Sequence, residues 1–256
     1  MPETIVMIHG MSCGGWYWEN FKNFLEQRGF QCYTPTLRYH DMDPSDTPDL
    51  RLGTTSLLDY ARDLEEYIHN LDQKPFLMGH SMGALLAQIL GARGLAKGLV
   101  LLTPAPPSGI NALIYSVIKS FRSALTTWGF WRKPHRLPFQ ASVYAMLHLL
   151  PAEEQKAVYD RFVYESGRAA SEIGFWFLDF KGASKVDQSN VSCPVLVVAG
   201  AEDRITPASV VRKVANKYEA VSTYKEFENH AHWVIAEPGW EEIAEFASDW
   251  LNQISD

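Results

Sequence analysis

The chain has 256 residues, 46% hydrophobic and 21% charged, enough for one domain with a sizeable core or a domain carrying an inserted lobe. A formal net charge of −7 argues against a nucleic-acid footprint and weakly disfavours a polyanionic substrate. No window approaches the roughly 18 unbroken apolar residues of a membrane span, and the opening "MPETIVMIHG" lacks the basic and apolar regions of a secretory leader.

"TIVMIHG" predicts a first strand and residues 17–28 a helix burying Phe21, Phe24 and Leu25, closed by Gly29. "FQCYTPT" reads as a second strand. The long polar stretch "RYHDMDPSDTPDLRLG", Arg38 to Gly53, reads as a surface excursion near the expected site rather than a specificity element. Residues 55–71 put Leu57, Leu58, Ala61, Leu64, Tyr67, Ile68 and Leu71 on one helical stripe. "KPFLMGH" is a third strand, and residues 82–93 form a helix apolar nearly all round, which predicts a central position. "KGLVLLTP" is a fourth strand.

Residues 106–187 break this alternation. They are helical in character, punctuated by Pro106, Pro107, Pro134, Pro138 and Pro151, and rich in aromatics. "CPVLVVAG" resumes as a fifth strand, followed by a helix with Thr206 as N-cap and Pro207 at its first position. "STYKEF" is a sixth strand, and a last helix shows Trp240, Ile243, Ala247, Trp250 and Ile254. Near-continuous apolar strands alternating with helices predict an α/β fold: a mostly parallel sheet of about six strands, covered on both faces. The expected organisation is a core of residues 1–105 and 188–256 with a helical cap, residues 106–187, inserted after the fourth strand. Cys13, Cys32 and Cys193 have no metal-ligand spacing and read as reduced, buried apolar residues, which fits a cytoplasmic location.

The chemistry centres on Gly79-His80-Ser81-Met82-Gly83, placed between "PFLM" and "ALLAQIL". A serine ending a buried strand is ordinarily a turn residue or a helix cap. Glycines two before and two after it, with a strand arriving and a helix leaving, instead describe a nucleophile elbow, a turn so tight that only small residues clear the crossing backbone. Ser81 needs a base, and the base an orienting acid. Asp203, just past the fifth strand in "VLVVAGAEDRITP", is the expected acid, with Glu202 facing solvent. His232 in "FENHAHWVIAEPGW" is the expected base and His230 its rival; no further ligand cluster accompanies the pair to make a metal site. The N–H groups of Met82 and of Met11, in "IHGMSCGG", are the expected oxyanion donors.

Taken in order, "HGMSCGGWYW", "GHSMG", "GAEDRITP" and "HAHWVIAEP" resemble the α/β-hydrolase superfamily over nearly the whole chain, and most closely its small methylesterase and hydroxynitrile lyase group. The resemblance implies a serine triad of Ser81, Asp203 and His232, no metal or organic cofactor, and cleavage of an apolar or aromatic small-molecule ester through an acyl-enzyme. His9 resembles the family's His-Gly turn, where it supports the loop. Residue 4 already opens the strand bearing His9-Gly10, so the two leading antiparallel strands of many members are not expected. Serine at position 81 argues against the dehalogenases and epoxide hydrolases that use aspartate, and Met11 departs from the threonine usual in the plant lyases. Perhydrolase, carbon–carbon bond hydrolase and small-molecule receptor readings keep the same triad and stay open. Trp128, Trp131, Phe139 and Trp176, with Phe130, Phe175 and Phe177, are the insertion's candidate pocket aromatics. "WGFWRKPHR", Trp128 to Arg136, reads as a solvated rim. Oligomeric state is not legible in the sequence.

Overall fold

In the computed structural model, which describes residues 2–255, the β-branched run Thr4–Ile8 forms strand β1, buried along its whole length between neighbours on either side. A 3-10 turn at Gly15–Trp18 leads into α1 (Glu19–Glu26), followed by β2 (Gln31–Tyr33) and α2 (Leu57–His69). Ser56 caps α2 by accepting from the Leu58 N–H while Asp59 reaches back to the Ser56 N–H, a capping box. Then come β3 (Phe76–His80), α3 (Met82–Ala92) and β4 (Leu99–Leu102).

The segment after β4 holds α4 (Tyr115–Ser120), α5 (Arg122–Leu125), β5 (Pro134–His135), α6 (Phe139–Ser142), α7 (Ala152–Asp160), β6 (Glu165–Ser166) and α8 (Gly167–Gly174). The main sheet resumes with β7 (Val195–Gly200), α9 (Ala208–Asn216), β8 (Ser222–Phe227) and α10 (Trp240–Ser255).

The sheet runs β2-β1-β3-β4-β7-β8, six strands with every neighbouring pair parallel; β5 and β6 pair separately as a short antiparallel ribbon. Successive strand residues alternate between two cores, as the pleat requires. Val6, Ile8, Leu77, Leu99 and Val197 join α2, α3 and α9 on one face. Ile5, Met7, Met78, Val100 and Val198 join α1 and α10 on the other. Helix α3 is buried from Met82 through Gly91, the central helix its composition predicts. In a parallel sheet the carboxyl ends of all strands lie at one edge, so the loops after β1, β3, β7 and β8 converge there.

The inserted segment leaves and rejoins the core at one point: the Ser108 N–H donates to the Ser184 carbonyl at 2.9 Å. It also grips α2, where Glu172 accepts from the Ser56 hydroxyl and from the Leu57 N–H at 2.8 Å. The 38–53 loop is not the surface excursion its polarity suggested. His40 and Leu52 are buried, and a Cβ on Gly53 would lie 2.6 Å from the backbone of Lys133, so the loop is packed beneath the insertion. Polarity reported its exposed tip and not the buried root.

Helix α9 begins one residue later than its cap signal predicts, because the Thr206 hydroxyl is turned towards Asp203 and the Thr103 carbonyl. The three cysteines are free, Cys13 and Cys32 buried and Cys193 half-buried. Among the described residues no helix is long and apolar enough to cross a membrane.

Candidate active site

Between β3 and α3 the chain turns at Ser81, whose φ of 54° and ψ of −120° are a strained conformation for a residue with a side chain. The flanking glycines make the turn sterically possible. A Cβ on Gly79 would meet the Gly83 carbonyl at 2.4 Å, and one on Gly83 the Ile8 carbonyl at 2.1 Å. Ser81 is thus pushed to the carboxyl edge of the sheet, where it is 8% exposed.

His232 arrives from the loop after β8 and stands 3.0 Å from the Ser81 Oγ through its Nε2. Its Nδ1–H donates to Asp203 Oδ2 at 2.8 Å, which fixes the tautomer and leaves Nε2 free to accept from the serine. Asp203 follows β7 and is held by more than the histidine: Oδ1 accepts the Ile205 and Thr206 N–H groups at 2.7 and 2.8 Å, and Thr206 Oγ1 stands 2.7 Å from Oδ2. Burial alone would raise its carboxyl; the charge and hydrogen bond of His232, with the Thr206 donors, outweigh it and hold the group below the usual aspartate value. Glu202 is exposed, as expected of the neighbour.

His230, the rival base, is engaged elsewhere. It faces Glu237 at 3.0 Å, and the same carboxylate accepts the Ala231 N–H. A Cβ on Gly200 would strike the Ala231 carbonyl at 2.3 Å, so the histidine loop lies directly on the end of β7.

His80 has no role in the sequence reading, yet it is a buried support of the same loop. Its Nε2–H donates to the His232 carbonyl at 2.6 Å, and the Tyr17 hydroxyl donates to its Nδ1. Burial, and then the proximity of His232, push it well below the ordinary histidine range, so it is a neutral strut. Its signal in the sequence was only its place inside the elbow.

The alpha/beta hydrolase family matches residues 5–246. The chain belongs to that family. Methylesterase 17 of Arabidopsis thaliana is 30% identical over an alignment of 114 residues that covers 38% of this chain and 40% of that protein. Salicylic acid-binding protein 2 of Nicotiana tabacum is 34% identical over 85 residues, 32% of this chain and 31% of that one. The chain therefore matches less than half the length of these curated relatives. The solved structure of an Arabidopsis methylesterase superposes with a TM-score of 0.72 at 14% identity, covering 98% of this chain and 99% of that one.

In this alpha/beta hydrolase a cavity of about 110 Å³ opens over Ser81, bounded by Met11, Met82 and His232. The inserted segment supplies its apolar wall, including Leu113, Val117, Phe121, Phe130, Ile173 and Phe175. The four aromatics expected there are elsewhere. Trp128 is 86% exposed and meets Trp131 edge-on, Phe139 packs against Tyr159, and Trp176 packs against Phe177. The expectation rested on side-chain size. Helices α4 to α6 have four to six residues, too few for a hydrophobic period to show which side faces inward.

A second buried cluster lies behind the loop after β1. Glu165 and His40 are both buried and meet at 3.0 Å; His40 Nδ1 also faces the Arg38 carbonyl at 3.0 Å. Both imidazole nitrogens thus face oxygens, an arrangement that suits an imidazolium beside a carboxylate. Burial opposes both charges, but the pairing and its hydrogen bonds win. Glu165 is lowered from 4.5 to about 2, and His40 is raised above 6.5. The neighbouring His9 goes the other way, to about 3, through burial and then the His40 charge.

For Glu165 the lowered folded value means stability present above pH 4.5 and lost as the pH falls towards 2. For His40 the raised value means stability fully present below pH 6.5 and lost as the pH rises through it. The stability gap between wild type and Glu165→Gln, read from urea midpoints, is therefore expected to be widest between pH 4.5 and 6.5. A gap constant from about pH 3 to about pH 8 would show that the pair is not ionised.

Proposed function

We propose that the protein is a serine esterase cleaving small apolar carboxylic esters through an acyl-enzyme. The observation that carries this reading is the continuous chain Ser81 Oγ, His232 Nε2, His232 Nδ1, Asp203 Oδ2, at 3.0 and 2.8 Å, opening on an apolar cavity. As the Ser81 oxygen attacks the ester carbonyl, His232 Nε2 takes its proton, and Asp203 stabilises the imidazolium that forms. His232 then protonates the departing alcohol, and in the second half it draws a proton from the water that attacks the acyl group.

The developing oxyanion meets two backbone donors. Met82 is the first residue of α3, where N–H groups have no intrahelical partner and the helix dipole favours negative charge. The Gly10 carbonyl accepts from His9 Nδ1–H at 2.8 Å; because a trans peptide points its C=O and N–H oppositely, the Met11 N–H is turned away from His9. Gly10 itself lies against the nucleophile, a Cβ there falling 3.2 Å from the Ser81 Cβ. In this reading residues 106–187 are a cap that walls the acyl site, and residues 1–105 and 188–256 are the catalytic core.

Cavity size supports a short acyl group. About 110 Å³ is less than the roughly 150 Å³ of an engineered cavity that takes benzene. The name of one relative, a methylesterase, agrees with an ester substrate, and that of the other, a salicylic acid-binding protein, with a compact ligand. For p-nitrophenyl acetate and butyrate, kcat/KM is expected to exceed that for octanoate by about tenfold or more. Labelling of Ser81 by a serine-reactive phosphonate, with slow turnover of every ester, would instead favour a receptor or carbon–carbon hydrolase sharing the same residues.

A further inference from the structure

The loop that carries Met11 is held by groups outside the Ser81–His232–Asp203 chain. Ser12, the next residue, has a φ of 61°, in the left-handed region that serine rarely occupies. Both of its backbone polar groups are tied to the inserted segment. Its N–H donates to Glu165 Oε2 at 3.1 Å, and its carbonyl accepts from the Val163 N–H at 2.9 Å.

Glu165 is built as a fixed anchor. It is fully buried and accepts four hydrogen bonds, so its carboxylate has no freedom to turn. Oε2 takes Ser12 N–H and His40 Nε2–H; Oε1 takes the Tyr60 hydroxyl at 3.0 Å and the Ser166 N–H at 2.6 Å. The partners come from the loop after β1, the 38–53 loop, α2 and the insertion, so one side chain registers four segments against each other. Buried ion pairs are poor stabilisers compared with well-packed apolar groups, and packing alone does not require a carboxylate here. What an apolar group lacks is an oxygen to hold the Ser12 N–H in its strained turn.

We propose that Glu165 is a positioning residue for the oxyanion site: through Ser12 it sets the direction of the Met11 N–H. The proposal rests on the esterase reading above and on Met11 as oxyanion donor. With Gly10 held by His9 on one side and Ser12 held by Glu165 on the other, the Met11 peptide is fixed from both ends. Such placement matters because an error of about 1 Å at a reacting group costs on the order of 10²-fold in rate.

The test is Glu165→Gln, assayed on p-nitrophenyl acetate with active sites counted by phosphonate labelling. A glutamine must turn its NH₂ towards one pair of donors, so part of the anchor is lost. The expected result is a kcat per labelled site reduced about 10- to 100-fold with KM changed less than about threefold. Binding of a trifluoromethyl ketone, which forms the tetrahedral oxyanion, should weaken by the same factor as kcat/KM. Binding of the parent methyl ketone, which does not, should hold.

Should Glu165→Gln fail to fold, Glu165→Asp keeps the charge but withdraws the carboxylate, and the same pattern is expected. A normal kcat per labelled site, or a loss confined to KM, would overturn the proposal. Ser81→Ala run alongside separates the two readings. If it abolishes turnover while the Glu165 variants keep full kcat, only the positioning role falls; if it keeps turnover, the basis of both is gone.

Discussion

Ser81→Ala is expected to lower kcat on p-nitrophenyl acetate by about 10⁴-fold or more, with Asp203→Asn close behind. The two act at opposite ends of one relay. Alanine removes the nucleophile itself. Asparagine keeps an oxygen for the Ile205 and Thr206 N–H groups, so the turn after β7 should survive. Its amide then faces His232 Nδ1 as a donor, where the aspartate now accepts at 2.8 Å. The imidazole must answer by moving its proton to Nε2, and an Nε2–H cannot take the serine's proton across 3.0 Å. Either variant retaining more than about a tenth of wild-type kcat would mean that Ser81 and Asp203 do not act as described.

Gly83→Ala is expected to prevent folding, or to destabilise the protein by about 4 kcal/mol or more. Its added Cβ would stand 2.1 Å from the Ile8 carbonyl and 2.5 Å from that of His9. Both are backbone atoms, at the end of β1, a central strand that cannot retreat without leaving the sheet. Gly79→Ala, with its contact at 2.4 Å to the Gly83 carbonyl, should behave alike. Gly29 is the control: it has open space around it and only a φ of 91° to satisfy, so Gly29→Ala should cost only about 1 kcal/mol. Soluble yield and urea midpoints of the three variants decide the matter. A stable, active Gly83→Ala would contradict the described crossing of α3 over β1.

Those parts of the molecule that repeat a local physical rule were readable beforehand. Strands β1, β3, β4 and β7 are buried on both faces and so appear as unbroken apolar runs; edge strand β8 matches "STYKEF" residue for residue. The elbow stood out because its geometry admits so few residue types, and in the fold His232 lies within hydrogen-bonding reach of both Ser81 and Asp203. Legibility failed where the determining contacts are distant in sequence. Glu165 is a lone acid in "FVYESG", and its partners Ser12, His40 and Tyr60 are more than a hundred positions away, so no spacing rule could flag it. The one hint was a charged residue set among apolar neighbours. The cavity wall failed for a related reason: short helices carry too few turns to show a face, and Leu113, Val117 and Ile173 look like any other apolar residue.

The single hydrogen bond between Ser108 and Ser184 has a consequence for how the chain can be assembled and varied. Because the two ends of the insertion meet, the sheet experiences it as a loop already closed at its neck. The entropy of closing such a loop grows only logarithmically, by about 0.6 kcal/mol for each doubling of length. Lengthening, shortening or exchanging the residues beyond that neck therefore costs the strand order β4-β7 almost nothing. The α4–α5 part of the wall above Ser81 can thus be rewritten at little cost to the sheet, whereas Val163, Glu165 and Glu172, which hold the loop after β1 and the start of α2, cannot.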